Sequence, residues 1–388
     1  MRRSIEVLLL VLLLAPASLS AQVPPPPDAA PVLSGSYTGK AYSPYAQRGF
    51  PSRPLWGDTH LHTANSMDAG AFGNRLDIDD AYRFARGEEV VASTGVPVKL
   101  SRPLDWLVVA DHSDNMGFFP DLLAGNQQLL ADPTGQDWYD RIQAGEGVGV
   151  AMEIIGLFSQ GEFPEAMMYR PDNPLYKNMW QKVVDTAEEF NDPGRFTAFI
   201  GFEWTSLIRG NNMHRVVMYR DGGAKASQTV AYTTYPPEGS PNPRDLWKWM
   251  DAYETRAGGD VLAIAHNGNL SNGIMFPFEA QFDGRTLDRE YVETRAKWEP
   301  VYETTQIKGD GETHPFLSPD DEFADYETWD VGNLDLSALK TEDMLPGEYA
   351  REALKQGLGL EAKFGTNPYQ FGMIGSTDTH TTLSTAEE

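Results

Sequence analysis

Leu55-Trp56-Gly57-Asp58-Thr59-His60-Leu61-His62-Thr63 (residues 55–63) runs from a strand-length stretch straight into two histidines one residue apart. In a strand, residues two apart share a face, so His60 and His62 point the same way. The same join recurs down the chain. Trp106–Ala110 leads to Asp111-His112, Ala198–Phe202 to Glu203, Val261–Ala265 to His266, and Phe371–Gly375 to Asp378-Thr379-His380. With Val216–Tyr219 and Val301–Ile307 these make seven predicted strands, separated by stretches of helical period, which is the α/β pattern. In a parallel α/β barrel all strand C-termini meet on one face, so residues distant in sequence converge there.

The helices between the strands are legible. Ile78, Ala81, Tyr82 and Ala85 recur at i, i+3, i+4, i+7 and stop at Gly87, while Trp180, Val183, Val184, Ala187 and Phe190 make a second stripe. Asn242-Pro243 reads as an N-cap followed by proline at the first helical position. These stripes face a core and carry no chemistry. The segment 113–195 is far longer than an ordinary strand-to-helix connection and has helical period of its own. It is expected to be a helical insert after the second strand, capping what the barrel holds.

The N-terminus is an address label. Arg2 and Arg3 precede the apolar run Val7–Leu14, and Ala17-Ser18-Leu19-Ser20-Ala21 supplies small residues for cleavage after Ala21. The run is much shorter than the roughly 20 residues a membrane span needs. A Pro/Gly-rich linker follows over 22–54, opening with Pro24–Pro27. Residues 1–21 are therefore expected to be a signal peptide and the mature chain periplasmic or secreted, with no membrane contact after cleavage. No internal repeat is present.

Composition narrows the partners. The chain has 388 residues, 41% hydrophobic and 11% aromatic, enough for a large core, and it lacks cysteine, which excludes disulfides and thiolate metal sites. A net charge of -25 disfavours nucleic acid and anionic membranes as partners. Oligomeric state is not encoded in any of these features.

The strand-end residues carry the chemistry. A lone H-x-H or D-x-H is weak, because a single buried histidine is commonly a hydrogen-bonded core residue. The combination differs, since packing gives no reason to place imidazole at the same end of several strands. Histidine and carboxylate without thiolate suit Zn, Mn or Fe. His214 sits at the start of Val216–Tyr219 rather than its end, and from position alone it reads equally as ligand or as structural histidine. Lys308, His314 and Glu303 lie in or near the sixth strand; each reads either as a substrate contact or as an ordinary residue. The acidic run Asp320-Asp321-Glu322 through Glu327 fits no metal-loop spacing and reads as a solvated face.

The set Gly57-Asp58-Thr59-His60-Leu61-His62-Thr63, Ala110-Asp111-His112-Ser113, Gly201-Phe202-Glu203-Trp204, Ala265-His266-Asn267 and Gly375-Ser376-Thr377-Asp378-Thr379-His380 resembles the polymerase-and-histidinol-phosphatase (PHP) superfamily. More narrowly it is similar to the exported family catalogued as domain of unknown function 3604, as are Ala81–Gly87, Gln306–Gly309 and Leu317–Phe323. The resemblance spans 55–388. It implies a distorted seven-stranded (β/α) barrel and a two- or three-metal centre that hydrolyses phosphoesters. It further implies His60, His62, His112, Glu203, His214, His266, Asp378 and His380 as metal ligands, with Glu203 bridging two ions. The superfamily usually shows Ser-Asp-Gly soon after H-x-H; here Ser66-Met67-Asp68-Ala69 carries an extra residue, leaving Asp68 a shifted ligand. Family members usually extend well beyond D-T-H, whereas this chain stops eight residues after His380. A fragment lacking part of the barrel wall and a C-terminal substrate-binding segment is therefore expected.

Two functions follow as expectations. One is an exported hydrolase of a small anionic ester, with Glu203, Asp111 and Asp378 catalytic, Lys308, His314 and Asn267 contacting substrate, and two or three Mn, Fe or Zn ions as cofactors. The other is a non-catalytic metal-binding exported protein, or an inactive fragment of a larger enzyme.

Overall fold

The computed structural model describes residues 53–384. The expected leader, 1–21, and all but the last two residues of the expected linker, 22–54, lie outside the described residues. The described chain is mixed α/β. One sheet holds β1 (Gly57–Asp58), β2 (Trp106–Val108) and β3 (Thr197–Phe199), all parallel. A second holds β4 (Gly201–Trp204), β5 (Arg215–Tyr219), β6 (Val261–Ala265), β7 (Val301–Gln306), β8 (Gly309–Asp310) and β9 (Gly372–Gly375). Its path runs β4-β5-β6-β7, with β8 and β9 each on β7.

The predicted third strand thus divides at Ile200. Its first half pairs with β2 and its second with β5, so one extended segment belongs to both sheets. Gly201 permits the crossover: a Cβ there would lie 2.5 Å from Val108 Cγ1 and 3.0 Å from the Val217 carbonyl oxygen. Only a residue without a side chain fits between the two sheets at that point.

The sheets are not closed into a barrel, and the strands are not uniformly parallel. β5 runs antiparallel to both β4 and β6. A strand joined to its predecessor by a short hairpin must reverse, and the hairpin here is the Leu207–Ile208 and Asn211–Asn212 ribbon. This reversal corrects the expected all-parallel wall. It also brings the start of β5, where His214 stands, to the face where the other strands end. The segments after β1 and β9 meet: Leu61 bridges Thr379, and the Asp378 N–H donates to the His60 carbonyl at 2.9 Å.

Helices pack the outside of the sheets. Ile78–Ala85 starts on a capping box at Asp77, and Pro243–Ala257 on Asn242, whose side chain accepts from the Arg244 N–H. Between residues 113 and 195 lie Phe118–Leu123, Gln127–Leu130, Pro133–Gln143, Gly147–Ser159 and Pro174–Phe190. The last of these packs on β3 and on Ile78–Ala85. The core around Leu107, Val109, Phe202, Val217, Ala263 and Trp247 is essentially inaccessible. A second, smaller cluster of Val108, Ala110, Val216 and Ile264 takes up the alternate positions of the same strands, so the polar strand ends are the exception that needs explaining. No helix among the described residues is long and apolar enough to cross a membrane.

Candidate metal centre

Six of the chain's seven histidines gather in one cluster, five of them around a single carboxylate, Glu203. Glu203 closes β4 and is buried. Its Oε1 lies 2.7 Å from His214 Nδ1 and 2.7 Å from His266 Nε2. Its Oε2 lies 2.9 Å from His112 Nδ1, 3.3 Å from His62 Nε2 and 3.4 Å from His60 Nε2. Each oxygen therefore faces its own set of imidazoles. Asp378 Oδ1 lies 3.0 Å from His62 Nε2 and 3.5 Å from His60 Nε2. Asp68 Oδ2 gathers His380 Nε2 at 2.6 Å and His112 Nε2 at 3.0 Å. Among the described residues these donors form overlapping triples within metal-ligand reach, including His60–His62–Glu203, His112–Glu203–His214 and His62–Asp68–His112.

The hydrogen bonds fix the tautomers. The Ser66 hydroxyl donates to Asp68 Oδ1, so at 2.9 Å it accepts from His62 Nδ1–H. The Thr205 hydroxyl donates to the Glu203 carbonyl and accepts from His112 Nδ1–H at 3.1 Å. His60 Nδ1–H donates to Glu303. In all three rings Nδ1 carries a proton, which leaves Nε2 as the nitrogen aimed inward and the one that could ligate a metal.

Buried polar atoms without partners mark the interior. Glu203 Oε2, His214 Nε2 and both ring nitrogens of His266 make no aligned hydrogen bond among the described residues. Such groups are costly to bury unsatisfied, by about 1–3 kcal/mol each. Charge points the same way: Asp68, Glu203, Glu303 and Asp378 converge, and among the described residues Lys308, paired with Asp378, is the one Lys or Arg that meets them. Without metal the balance falls on histidine protons. Burial alone would lower His60 and His112, but the surrounding carboxylates hold both well above their usual value. Glu203 shows the converse: burial would raise it, and the imidazolium charges hold it well below the carboxylate range. Burial pushes His62 down to about 3 and His214 to about 4, so these two stay neutral. The donor set therefore fits divalent cations, which replace the shared protons.

The mouth of the site is identified by exposure. Side chains of Asp68, His380 and Lys308 are 19%, 20% and 23% accessible, whereas Glu203 and Asp378 are at 1%. Solvent reaches the cluster at that edge, where Asp68, His380 and Lys308 lie.

Two candidates lie elsewhere. The Asp111 carboxylate accepts from the Thr63 N–H at 2.6 Å and the Thr63 hydroxyl at 2.7 Å, tying the segment after β1 to that after β2. Burial raises it to about 7. His314 pairs with Asp330 at 3.1 Å and packs on Tyr349 rather than on the cluster. Asn267, in a left-handed conformation at φ 46, reaches the cluster indirectly, through Gln306. Conversely Glu303, left undecided from sequence, belongs to the cluster with His60 and His266. Ser66, Thr205 and Gln306 were not legible, since a lone hydroxyl or amide beside a ligand motif carries no signal of its own.

With this geometry in place, comparison with known proteins is informative in one respect. The family model described as Protein of unknown function (DUF3604) matches residues 49–388. The chain belongs to that family. No curated protein and no solved structure matches it. The DUF3604 assignment covers every residue of the candidate centre, from His60 to His380, and it carries no activity with it.

Proposed function

We propose that this DUF3604 chain is an exported, metal-dependent hydrolase of the PHP superfamily, acting on a phosphoester at a centre of two or three Mn, Fe or Zn ions. The single observation that carries the reading is Glu203, whose two oxygens face separate imidazole sets, as a carboxylate bridging two cations requires. The strand succession β1, β2, β3/β4, β5, β6, β7, β9, with the ends of β1 and β9 bridged at Leu61 and Thr379, supports an open and distorted version of the seven-stranded PHP barrel. Export rests on the leader pattern at 1–21.

His60, His62, Glu203 and Asp378 would hold one ion, Glu203 with His214 and His266 a second, and Asp68, His112 and His380 a third. Bound there, divalent cations supply Lewis acidity and bring the pKa of a coordinated water from 15.7 toward about 7. The chain's own residues do the rest. Ser66, Thr205 and Glu303 hold three imidazoles in the ligating tautomer. Lys308, at the mouth, presents a point charge to an anionic substrate oxygen while pairing with Asp378. The buried walls exclude bulk water from the reacting side.

The test is metal analysis of dialysed protein together with turnover of p-nitrophenyl phosphate and bis-p-nitrophenyl phosphate, with Mn, Fe or Zn and with chelator. At least two ions per chain and chelator-sensitive hydrolysis are expected. Bound ions with no hydrolysis of either ester would favour a non-catalytic metal-binding protein. Protein that takes up no ion at all would overturn both readings.

A further inference from the structure

In a regular strand residues three apart point to opposite faces. Glu303 and Gln306 on β7 break that rule. Both are buried, at 1% and 6% exposure, and both turn into the same cluster: Glu303 to His60, Gln306 to Asp378 and Asn267. The cause is a β-bulge. β7 pairs with β9 as Glu303 with Ile374 and Thr305 with Gly375, so Thr304 is an extra residue on β7. Its hydroxyl donates to the Ile374 carbonyl at 3.0 Å, replacing part of the interrupted ladder. A bulge shifts every later side chain to the other face, and such irregularities re-aim residues beside sites.

Glu303 is unusual in itself. Its side chain is fully buried, and among the described residues its hydrogen-bonding partner is His60 Nδ1, at 3.2 Å from Oε1 and 3.1 Å from Oε2. The opposite nitrogen, His60 Nε2, is 3.1 Å from His62 Nε2 and 3.4 Å from Glu203 Oε2, at the centre of the cluster. A carboxylate accepting Nδ1–H fixes the ring's tautomer and orientation and raises the basicity of the other nitrogen. Gln306 acts in parallel on the next ligand, donating to Asp378 Oδ2 while its own oxygen accepts from the Lys308 N–H.

We infer that Glu303 is a positioning carboxylate that holds His60 for metal without binding the ion itself, and that the β7 bulge brings Gln306 to the same face to hold Asp378. This rests on the metal-centre reading above. Glu303 also lies within ligand distance of His60 and His266, so direct ligation is the rival, and stoichiometry separates the two.

The experiment compares wild type, Glu303→Gln and Glu303→Ala by calorimetric titration of the metal-free proteins with Zn alone and by metal content at saturation. Circular dichroism monitors the fold, and selective ¹⁵N labelling of histidine reports the His60 tautomer by NMR. A positioning role predicts unchanged stoichiometry in both variants. It also predicts a 10–100-fold weaker affinity in Glu303→Ala, the range typical of such partners, partial rescue in Glu303→Gln, whose amide oxygen still accepts, and loss of the single Nδ1-protonated form of His60 in Glu303→Ala. If both variants bind one ion fewer at saturation, Glu303 is a ligand and the inference is overturned. Wild-type affinity in Glu303→Ala overturns it as well. Should Glu303→Ala fail to fold, the Gln variant decides alone: unchanged stoichiometry with weakened affinity supports positioning, and one ion fewer or undiminished affinity refutes it. Absence of Zn binding in the wild type would instead sink the metal-centre reading.

Discussion

Replacing Glu203 by glutamine keeps the side chain's shape and removes one charge from the centre of the cluster. The wild-type carboxylate meets five imidazoles, with Oε1 toward His214 and His266 and Oε2 toward His60, His62 and His112. Cations held by those rings would each lie within a few ångströms of the charge. Two unit charges 4 Å apart interact by about 4 kcal/mol at an effective dielectric near 20. Each ion that shares Glu203 loses an interaction of at least that order, which corresponds to roughly a thousand-fold in affinity at about 1.4 kcal/mol per decade. Glu203→Gln is therefore expected to lose one or more ions on dialysis and to lower phosphodiester turnover by several orders of magnitude. The fold should persist, because the apolar core around Leu107, Phe202 and Val217 is independent of the cluster. Metal analysis by mass spectrometry, turnover of bis-p-nitrophenyl phosphate and far-UV circular dichroism together give the answer. Full metal content with near-normal turnover would refute the bridging role and leave Glu203 a structural residue.

Four further outcomes are expected. Asp68→Ala removes the carboxylate that gathers His112 and His380 at the mouth, so metal content should fall by no more than one ion per chain; loss of every ion would show Asp68 to be central. Asp111→Asn retains an oxygen to accept from the Thr63 N–H and should leave turnover within about threefold (under 1 kcal/mol on the barrier), whereas a fall of orders of magnitude would restore Asp111 as a catalytic residue. Because His60 and His112 titrate above their usual 6.5 in the metal-free chain, both are protonated at pH 7 and must release those protons to bind metal. Zn titration at pH 7 should liberate about two protons per chain, with affinity rising as pH climbs through those raised values; the same two protonated histidines, facing the cluster's carboxylates, stabilise the metal-free fold below pH 6.5 and lose that contribution over the same rise. Calorimetry in buffers of differing ionisation enthalpy measures the release, and none detected would contradict the assignment. Gly201→Ala forces a Cβ to 2.5 Å from Val108 Cγ1 and should destabilise by about 1–3 kcal/mol, read as a lowered Tm; an unchanged Tm would mean the crossover tolerates a side chain.

Much of the candidate site was legible because its residues follow local patterns. An apolar run ending in histidine or carboxylate is a statement about neighbours in sequence, and it located His60, His62, His112, Glu203, His266, Asp378 and His380 together. Helices with their own caps, such as Ile78–Ala85 behind Asp77 and Pro243–Ala257 behind Asn242, were legible for the same reason. His314 was left open between substrate contact and ordinary residue, because its position in a loop near β7 says nothing about which way the loop folds. It turns to Asp330.

What the sequence alone determined, then, is the inventory: an α/β chain of seven strand segments, no thiolate chemistry, and histidines and carboxylates at the strand ends. What only the tertiary structure decided is direction and register. β5 reverses, which carries His214 to the site from the start of its strand, and the third strand divides at Ile200 between two sheets. An extra residue at Thr304 turns Glu303 and Gln306 to one side although their spacing assigns them opposite faces. The physical reason is common to all three. Strand direction and pairing are set by backbone hydrogen bonds to partners distant in sequence, and a one-residue slip moves every later side chain to the other face while leaving the local pattern of apolar and polar residues unchanged.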